Sequence, residues 1–453
     1  MLKKFTALII IAILAGSLVA CNTEIPETVE FSSASSATLD NATKDEMKTE
    51  STTAAETEAA TTSEQTTSAQ QTTTSGSKKS AQQTESVITT AYTTSTGMIN
   101  ATELFTNRDL TQNADLTDAK YYTVSDGQNI NITSEGVYVI SGSASNVTIT
   151  VDAGDNDKVQ IVLDGVSITN SSSPCIYVKN ADKVFVTTTS TDNTLSVTGT
   201  FTADGTTNTD AVIFSRDDLV INGLGTLTIN STDNGISCKD DLKVTGGTIT
   251  INCSSDGLEA NDSIAIADGS ITISTSKDGL HAENDDDNTT GYVYICGGTL
   301  NITAGDDGIH ATTVAQIDGG TMNITAAEGI EGTFVQINGG TIGITSSDDG
   351  INGSNKSSAY SVTVEINGGD ITINMGQGDT DAIDSNGNLY INGGTLNISA
   401  SSPFDYDGQA SYTGGTMIVN GSQTTIITNQ MMGGGMGGMG GMHNDGGAGF
   451  PGR

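Results

Sequence analysis

The chain has 453 residues, with 54 Asp+Glu against 17 Lys+Arg, a formal net charge of -37, 54 Gly, 4 Pro and no Trp. So acidic a balance excludes duplex DNA or RNA as a natural partner, because phosphate binding needs a basic surface. One long apolar run, at the N-terminus, excludes a transmembrane bundle, and the dominance of Gly, Thr, Asn and Ile/Val argues against a helical bundle.

The chain opens on the basic Met1-Leu2-Lys3-Lys4, continues with an apolar stretch from Phe5 to Ala15, and then reads Leu18-Val19-Ala20-Cys21. Residues 1–20 are expected to be a secretory signal peptide ending in a bacterial lipobox, with small residues just before the cysteine. Cys21 would then carry the lipid and become the first residue of the mature chain. The protein is expected on the extracellular face of the cell membrane, at the cell surface, touching the membrane only through that lipid. Residues 21–97 are mostly Thr, Ser, Ala, Glu and Gln. Such a segment cannot bury a core and predicts a disordered spacer, with a reach of about 45–50 Å.

Residues 98–425 read as one β domain. Val137 to Ile140, Val147 to Val151, Val159 to Leu163, Ile176 to Val178 and Val184 to Val186 alternate with period two, the mark of half-buried strands. From about Asp210 to Asn420 the motif Gly-Gly-Thr-[Ile/Leu/Met]-x-Ile recurs, starting at Gly246, Gly297, Gly319, Gly339, Gly368, Gly393 and Gly414. Asp370 replaces the Thr in one copy. Between copies lies Asp-Gly-[Ile/Leu]-x-[Ala/Gly], starting at Asp256, Asp278, Asp307 and Asp349. The spacing is about 20–22 residues, stretched to about 25–29 by inserted loops. One such unit cannot bury its apolar face alone, whereas stacked units can. The expected fold is therefore all-β, a parallel β-helix of about 20–22-residue coils, roughly 12 of them in a rod near 55–60 Å long. Asn222, Asn338, Asn367 and Asn392 recur at the Gly-rich bend and predict a coil-to-coil amide ladder. Besides Cys21 there are Cys175, Cys238, Cys253 and Cys296, with no metal-finger spacing. Cys238 and Cys253 read as small core residues.

The chemistry should lie in the acids. Asp256, Asp278, Asp307, Glu328, Asp349 and Asp381 share one repeat position, and three residues on come Glu259, His281, His310, Glu331, Asn352 and Asp384. In a β-helix one repeat position is one column, so like charges stand about 5 Å apart. Each pair then costs about 0.8 kcal/mol in water and about 3.5 kcal/mol at an effective dielectric of 20. Divalent cations between coils would resolve the repulsion, and carboxylates with turn carbonyls suit Ca2+. The alternative is that each Asp-Gly is only a turn former. The expected ligands are Asp256, Glu259, Asp278, Asp307, Glu328, Glu331, Asp349, Asp379, Asp381, Asp384, Asp405 and Asp407, the best site being the run from Asp379 to Asp384 with Asp405 and Asp407. A second acidic run, Glu283 with Asp285-Asp286-Asp287, sits in an insertion. Asp217, Asp240 and Asp262 form a further repeated column. For a lyase, the candidate bases Arg216, Lys239, Lys243 and Lys277 have no distinguishing context. For a hydrolase, Asn208-Thr209-Asp210 and Asp306-Asp307 echo polygalacturonase motifs but lie about a hundred residues apart, and paired carboxylates alone do not make a glycosidase. No catalytic residue is assigned. Residues 426–453 are a Gly/Met-rich segment expected to be a flexible tail.

Ile161 to Ile168, Cys175 to Val184, Asp217-Asp218-Leu219, Gly225 to Thr228, Asp379 to Gly387, Pro403 to Gly408 and the Gly/Met tail together resemble the carbohydrate-binding β-helix lipoproteins of clostridial bacteria, which are similar in fold to pectate lyases. The resemblance covers about Tyr121 to the tail. It implies a right-handed helix, bound Ca2+, and binding of plant cell-wall glycans, including polygalacturonate and cellulose, without clear lyase activity. It supplies no motif for individual sugar-binding residues. An acidic face cannot bind an acidic glycan directly, but Ca2+ can bridge carboxylates on both. The expected function is a monomeric, non-catalytic, Ca2+-loaded binder of acidic plant polysaccharide, with no nucleic-acid partner. A pectate lyase and a Ca2+-stabilised structural adhesin are the alternatives.

Overall fold

The computed structural model describes residue 99, residues 104–376 and residues 380–430. The expected signal peptide, Cys21, the spacer, Asp379 and the tail from residue 431 lie outside the described residues. Within them the chain is a parallel β-helix. A typical coil consists of Asn234–Cys238, Asp241–Val244 and Thr248–Asn252, and the next of Leu258–Ala260, Ser263–Ile266 and Ser270–Ser274. The three strands of a coil belong to three sheets, called here B, A and C in chain order. Each strand pairs in parallel with its counterpart one coil on: Ile236 faces Leu258, Leu242 faces Ile264 and Ile249 faces Ile271. All three registers advance by 22 residues (236 to 258, 242 to 264, 249 to 271). Parallel strands joined without crossover helices need this stacking, since every strand must hydrogen-bond to the coil above and below.

The core is a set of apolar columns. In sheet B the inward column runs Ile130, Ile149, Ile176, Ile213, Ile236, Leu258, Leu280, Ile309, Ile330, Ile351, Ile383 and Phe404, matched coil to coil and buried throughout. Each fully buried Ile contributes about 1.5–3 kcal/mol, so a chain poor in aromatics still builds a core. Coil length varies only through loops: the step from Leu280 to Ile309 carries the 283–291 insertion. Cys175 and Cys238 are buried in this core, and Cys253 is half-buried against it. An antiparallel hairpin, Thr416–Val419 with Ser422–Thr424, closes the last coil.

The glycine of each Asp-Gly step is required by coil contact. A Cβ on Gly257 would lie 2.6 Å from the Gly279 carbonyl oxygen and 2.6 Å from Ile273 Cγ2. The amide ladder forms on sheet A's bend: Asn338 Nδ2 donates to Asp318 Oδ1 at 2.7 Å, Asn367 Nδ2 to Asn338 Oδ1 at 2.9 Å, and Asn392 Nδ2 to Asn367 Oδ1 at 2.9 Å. Asn222 holds the same position in its coil but turns elsewhere, to Thr187 and to the carbonyls of Asp109 and Thr111.

Those carbonyls belong to a strap that the sequence pattern did not foreshadow. It crosses the outer face of sheet A against the order of the coils. Ile99 N–H donates to Gln316 Oε1 at 2.8 Å, Phe105 packs on Tyr294, and a helical turn, Asn107–Leu110, follows with a Thr106/Asp109 capping box. Arg108 lies 4.5 Å over the Phe185 ring, and Gln112 Nε2 donates to Thr245 O at 2.9 Å.

Candidate functional site

The acids stand on sheet B. One oxygen of the first column is committed to the fold. Asp278 N–H donates to Asp256 Oδ1 at 3.1 Å, Asp307 N–H to Asp278 Oδ1 at 2.9 Å, and Asp381 N–H to Asp349 Oδ1 at 3.2 Å. Asn234 does the same for Asp256 N–H, at 2.8 Å. This column is therefore partly a hydrogen-bond ladder, which a bare turn former would not be. Three residues on, Glu259, His281, His310, Glu331, Asn352, Asp384 and Asp405 follow one another in register.

The upstream half is neutralised by the protein itself. Lys239 Nζ lies 3.1 Å from Glu259 Oε1, and Lys277 Nζ 3.3 Å from Asp256 Oδ2. His281 Nδ1 is 2.6 Å from Asp278 Oδ2, and His310 Nδ1 lies between Asp307 Oδ2 at 2.7 Å and Glu331 Oε2 at 2.9 Å. Lys356 Nζ and Ser354 Oγ reach Glu331 Oε1 at 3.1 and 2.7 Å. Burial pushes His310 down, yet its bonds to Asp307 and Glu331 hold it up to about 10. Burial pushes Glu331 up, and the bonds from His310 and Ser354 more than offset that, leaving it well below the carboxylate range. Burial, opposed by the Asn352 bond and reinforced by Glu331, Asp307 and Asp349, lifts Glu328 to about 8. Ligand atoms come within 4.8 Å of one another in three groups among the described residues: Asp256, Asp278 and His281; Asp278, Asp307 and His310; Asp307, Glu328 and Glu331.

The downstream half is different. Burial and the charges of Asp348, Asp381 and Asp405 raise Asp349 to about 6 against the Asp381 backbone bond, and burial with Asp349, Asp405 and Asp381 raises Asp384 to about 7. Three oxygens here, Asp405 Oδ1, Asn352 Oδ1 and Thr380 Oγ1, are buried without a hydrogen-bond partner. Such atoms carry a desolvation cost of about 1–3 kcal/mol each. Carboxylate, amide and hydroxyl oxygens are the donor set that Ca2+ takes, so the residues fit that ion. None of the close ligand groups among the described residues lies here, and Asp407 is exposed.

The other sequence candidates are structural in part. Asp217 Oδ2 accepts from Ala181 N–H at 3.0 Å, and Asn284 Nδ2 donates to Asp262 Oδ1 at 2.5 Å. Burial with Asp218, Asp241 and Asp262 lifts Asp240 to about 7. The 283–291 insertion folds on itself, with Asp287 Oδ1 accepting from Thr289 N–H at 2.9 Å, and docks on a second loop through Ser357 Oγ to Asn288 O at 2.6 Å. Asp210 and Asp307 are four coils apart along sheet B, about 19 Å at the strand spacing. Paired glycosidase carboxylates need at most about 9.5 Å. Lys277 and Lys356 are pulled down by burial but held up by Asp256 and Glu331 respectively, above the usual lysine range, which suits neither for taking a proton. What the acid pattern missed was its counter-charges. His281 and His310 were visible in it, since both fill the variable place x of Asp-Gly-[Ile/Leu]-x-Ala; Lys356 and Ser354, on a loop, had no signal.

A family model described as carbohydrate-binding domain-containing protein matches residues 126–334 and 326–432. A curated relative of that same description, from Acetivibrio thermocellus, is 40% identical over 157 residues, or 34% of this chain and 53% of the relative. The chain thus spans about half the length of the curated relative it matches. A solved structure, of the polysaccharide lyase-like protein from C. thermocellum as a gadolinium derivative, is 34% identical, with a TM-score of 0.44 over 46% of this chain and 90% of the other.

Proposed function

The chain belongs to the family of carbohydrate-binding domain-containing proteins, and from that premise we propose that it binds acidic plant polysaccharide of the pectin class, without catalysis, through Ca2+ held on downstream sheet B. The observation that carries the reading is the group Asp349, Asp381, Asp384 and Asp405. The neighbouring carboxylates raise the proton affinity of Asp349 and of Asp384, and Asn352 Oδ1, Thr380 Oγ1 and Asp405 Oδ1 are buried without a hydrogen-bond partner. Asp349, Asp381, Asp384 and Asp405 would hold the ion, with Asn352 as a neutral donor. Bound there, Ca2+ supplies positive charge that a uronate carboxylate can share. The side chains themselves set the spacing and keep the ion near the surface. The finer placement, a lipoprotein tethered by Cys21 at the cell surface and related to the clostridial β-helix lipoproteins, rests on the N-terminal sequence and on the motifs quoted above.

Affinity electrophoresis of the full chain in polygalacturonate gels, with Ca2+ and with EDTA, tests this. Retardation only with Ca2+, lost in Asp384→Asn/Asp405→Asn, is the expected result. Retardation that survives EDTA removes the bridge, and no retardation in either lane removes the acidic glycan. A lyase is the second reading, favoured by the split between Glu328, lifted to about 8, and Glu331, well below its usual range. Unsaturated uronide released by the parent chain and not by Glu328→Gln would carry it.

A further inference from the structure

The two imidazoles set the upstream coils apart from the oxygen-only cluster. At their column position the neighbours are Glu259 before and Glu331, Asn352, Asp384 and Asp405 after, so nitrogen is confined to two successive coils. Each imidazole groups with two carboxylates of the first column, His281 with Asp256 and Asp278, His310 with Asp278 and Asp307, and His310 Nδ1 also lies 2.9 Å from Glu331 Oε2. The rings stack, centroids 4.7 Å apart and planes inclined by 23°. Were both rings to carry a proton as counter-ions to the acids, two like charges would face each other across that stack.

We propose that this trio of one imidazole and two carboxylates, repeated one coil apart with Asp278 shared, is a site for borderline divalent cations of the Zn2+ class. Three protein ligands leave a fourth, open position for water. Imidazole nitrogen suits Zn2+, Co2+ and Ni2+, whereas Ca2+ takes oxygen. The outer contacts are those of a metal site. His281 Nε2 lies 3.1 Å from Glu283 Oε2, a carboxylate partner of the kind that fixes the tautomer and orientation of a ligating histidine. Asp256 and Asp278 are each oriented by a backbone N–H of the next coil, at 3.1 and 2.9 Å. These acids are buried, at 4% and 3% exposure, and sit in the rigid sheet. The pairs His281 Nδ1 to Asp278 Oδ2 and His310 Nδ1 to Asp307 Oδ2 are now hydrogen bonds of 2.6 and 2.7 Å. A tetrahedral ion with bonds of about 2.0–2.2 Å separates its ligands by about 3.3 Å, so each pair opens by a small side-chain rotation as the ion replaces the shared proton. The inference does not depend on the glycan reading.

The test uses the full chain carrying His443→Ala, which leaves His281 and His310 as the remaining two of the three histidines. Co2+ is titrated and its visible ligand-field band followed, with and without excess Ca2+. The expected result is a saturable band that Ca2+ does not abolish and an affinity at least tenfold lower in His281→Gln/His310→Gln. Asp278→Asn is the second variant. Asn234 already caps the next coil's N–H from that position, so the substitution keeps the fold, checked by circular dichroism, while removing the shared charge, and it too should weaken Co2+ at least tenfold. No band, a band that Ca2+ abolishes at equal concentration, or equal affinity in parent and variants would overturn the proposal.

Discussion

Replacing Gly257 with alanine tests whether the Asp-Gly repeat serves coil stacking or the turn alone. The new Cβ would stand 2.6 Å from both the Gly279 carbonyl oxygen and Ile273 Cγ2, where carbon contacts are comfortable at about 3.5–4.0 Å. Neither obstacle is the loose end of a side chain: one is backbone and the other a core methyl. Relief therefore requires a shift of about 1 Å between coils, at about 1–3 kcal/mol for overpacking. The bonds Gly257 N–H to Asp278 O at 2.9 Å and Leu258 N–H to Gly279 O at 3.0 Å are strained together, at about 1 kcal/mol each if lost. The expected destabilisation is about 3 kcal/mol. Gly343→Ala is the control, because its nearest neighbour is Asn323 Oδ1 at 3.4 Å. With less backbone freedom in the unfolded chain it should be neutral or stabilising by about 0.4–1 kcal/mol. Urea unfolding followed by circular dichroism reads both. A Gly257→Ala midpoint equal to the parent's would refute the steric argument and return the motif to turn formation.

Asn367→Ala removes two ladder bonds, one accepted from Asn392 and one donated to Asn338, and should cost about 1–3 kcal/mol in the same assay. Stability should vary with pH in a defined sense. Glu331, held low, favours the fold above its unfolded value of 4.5 and loses that contribution on acidification. Asp349 and Asp384, raised to about 6 and 7, make stability fall as pH rises from 3.8 through those values, and His310, raised to about 10, extends the fall from 6.5 through 10. Without metal the thermal midpoint should therefore peak near pH 4–5; a peak above pH 7 contradicts the assignment. Added Ca2+ should raise the midpoint at pH 8, by about 2.7 kcal/mol of stability at a hundredfold excess over its dissociation constant. In Asp384→Asn/Asp405→Asn that gain should vanish while the metal-free midpoint at pH 8 rises, both measured by calorimetry.

The repeat was legible because each coil must place an Ile or Leu at the same inward point, so the period shows in sequence as it does in Ile236, Leu258 and Leu280. The acid column was legible for the same reason. Its charge balance was legible only in part: His281 and His310 stand in the column itself, but Lys356 comes from a loop after Gly353 and Lys239 from the end of the preceding coil's strand. The strap was hidden more completely. Its contacts, such as Asp109 O with Asn222 and Ile99 with Gln316, join residues more than a hundred positions apart, and a short polar segment carries no periodicity to announce them.

The strap also decides how the domain meets mechanical load. Tension on the backbone at Ile99 does not arrive at the first coil. It enters at Gln316, deep in the stack, and passes along Phe105, the capped turn and Gln112 before reaching Lys120. A pull from that end would therefore meet the strap's few contacts before the coil-to-coil ladders, so the strap stands between the load and the stack.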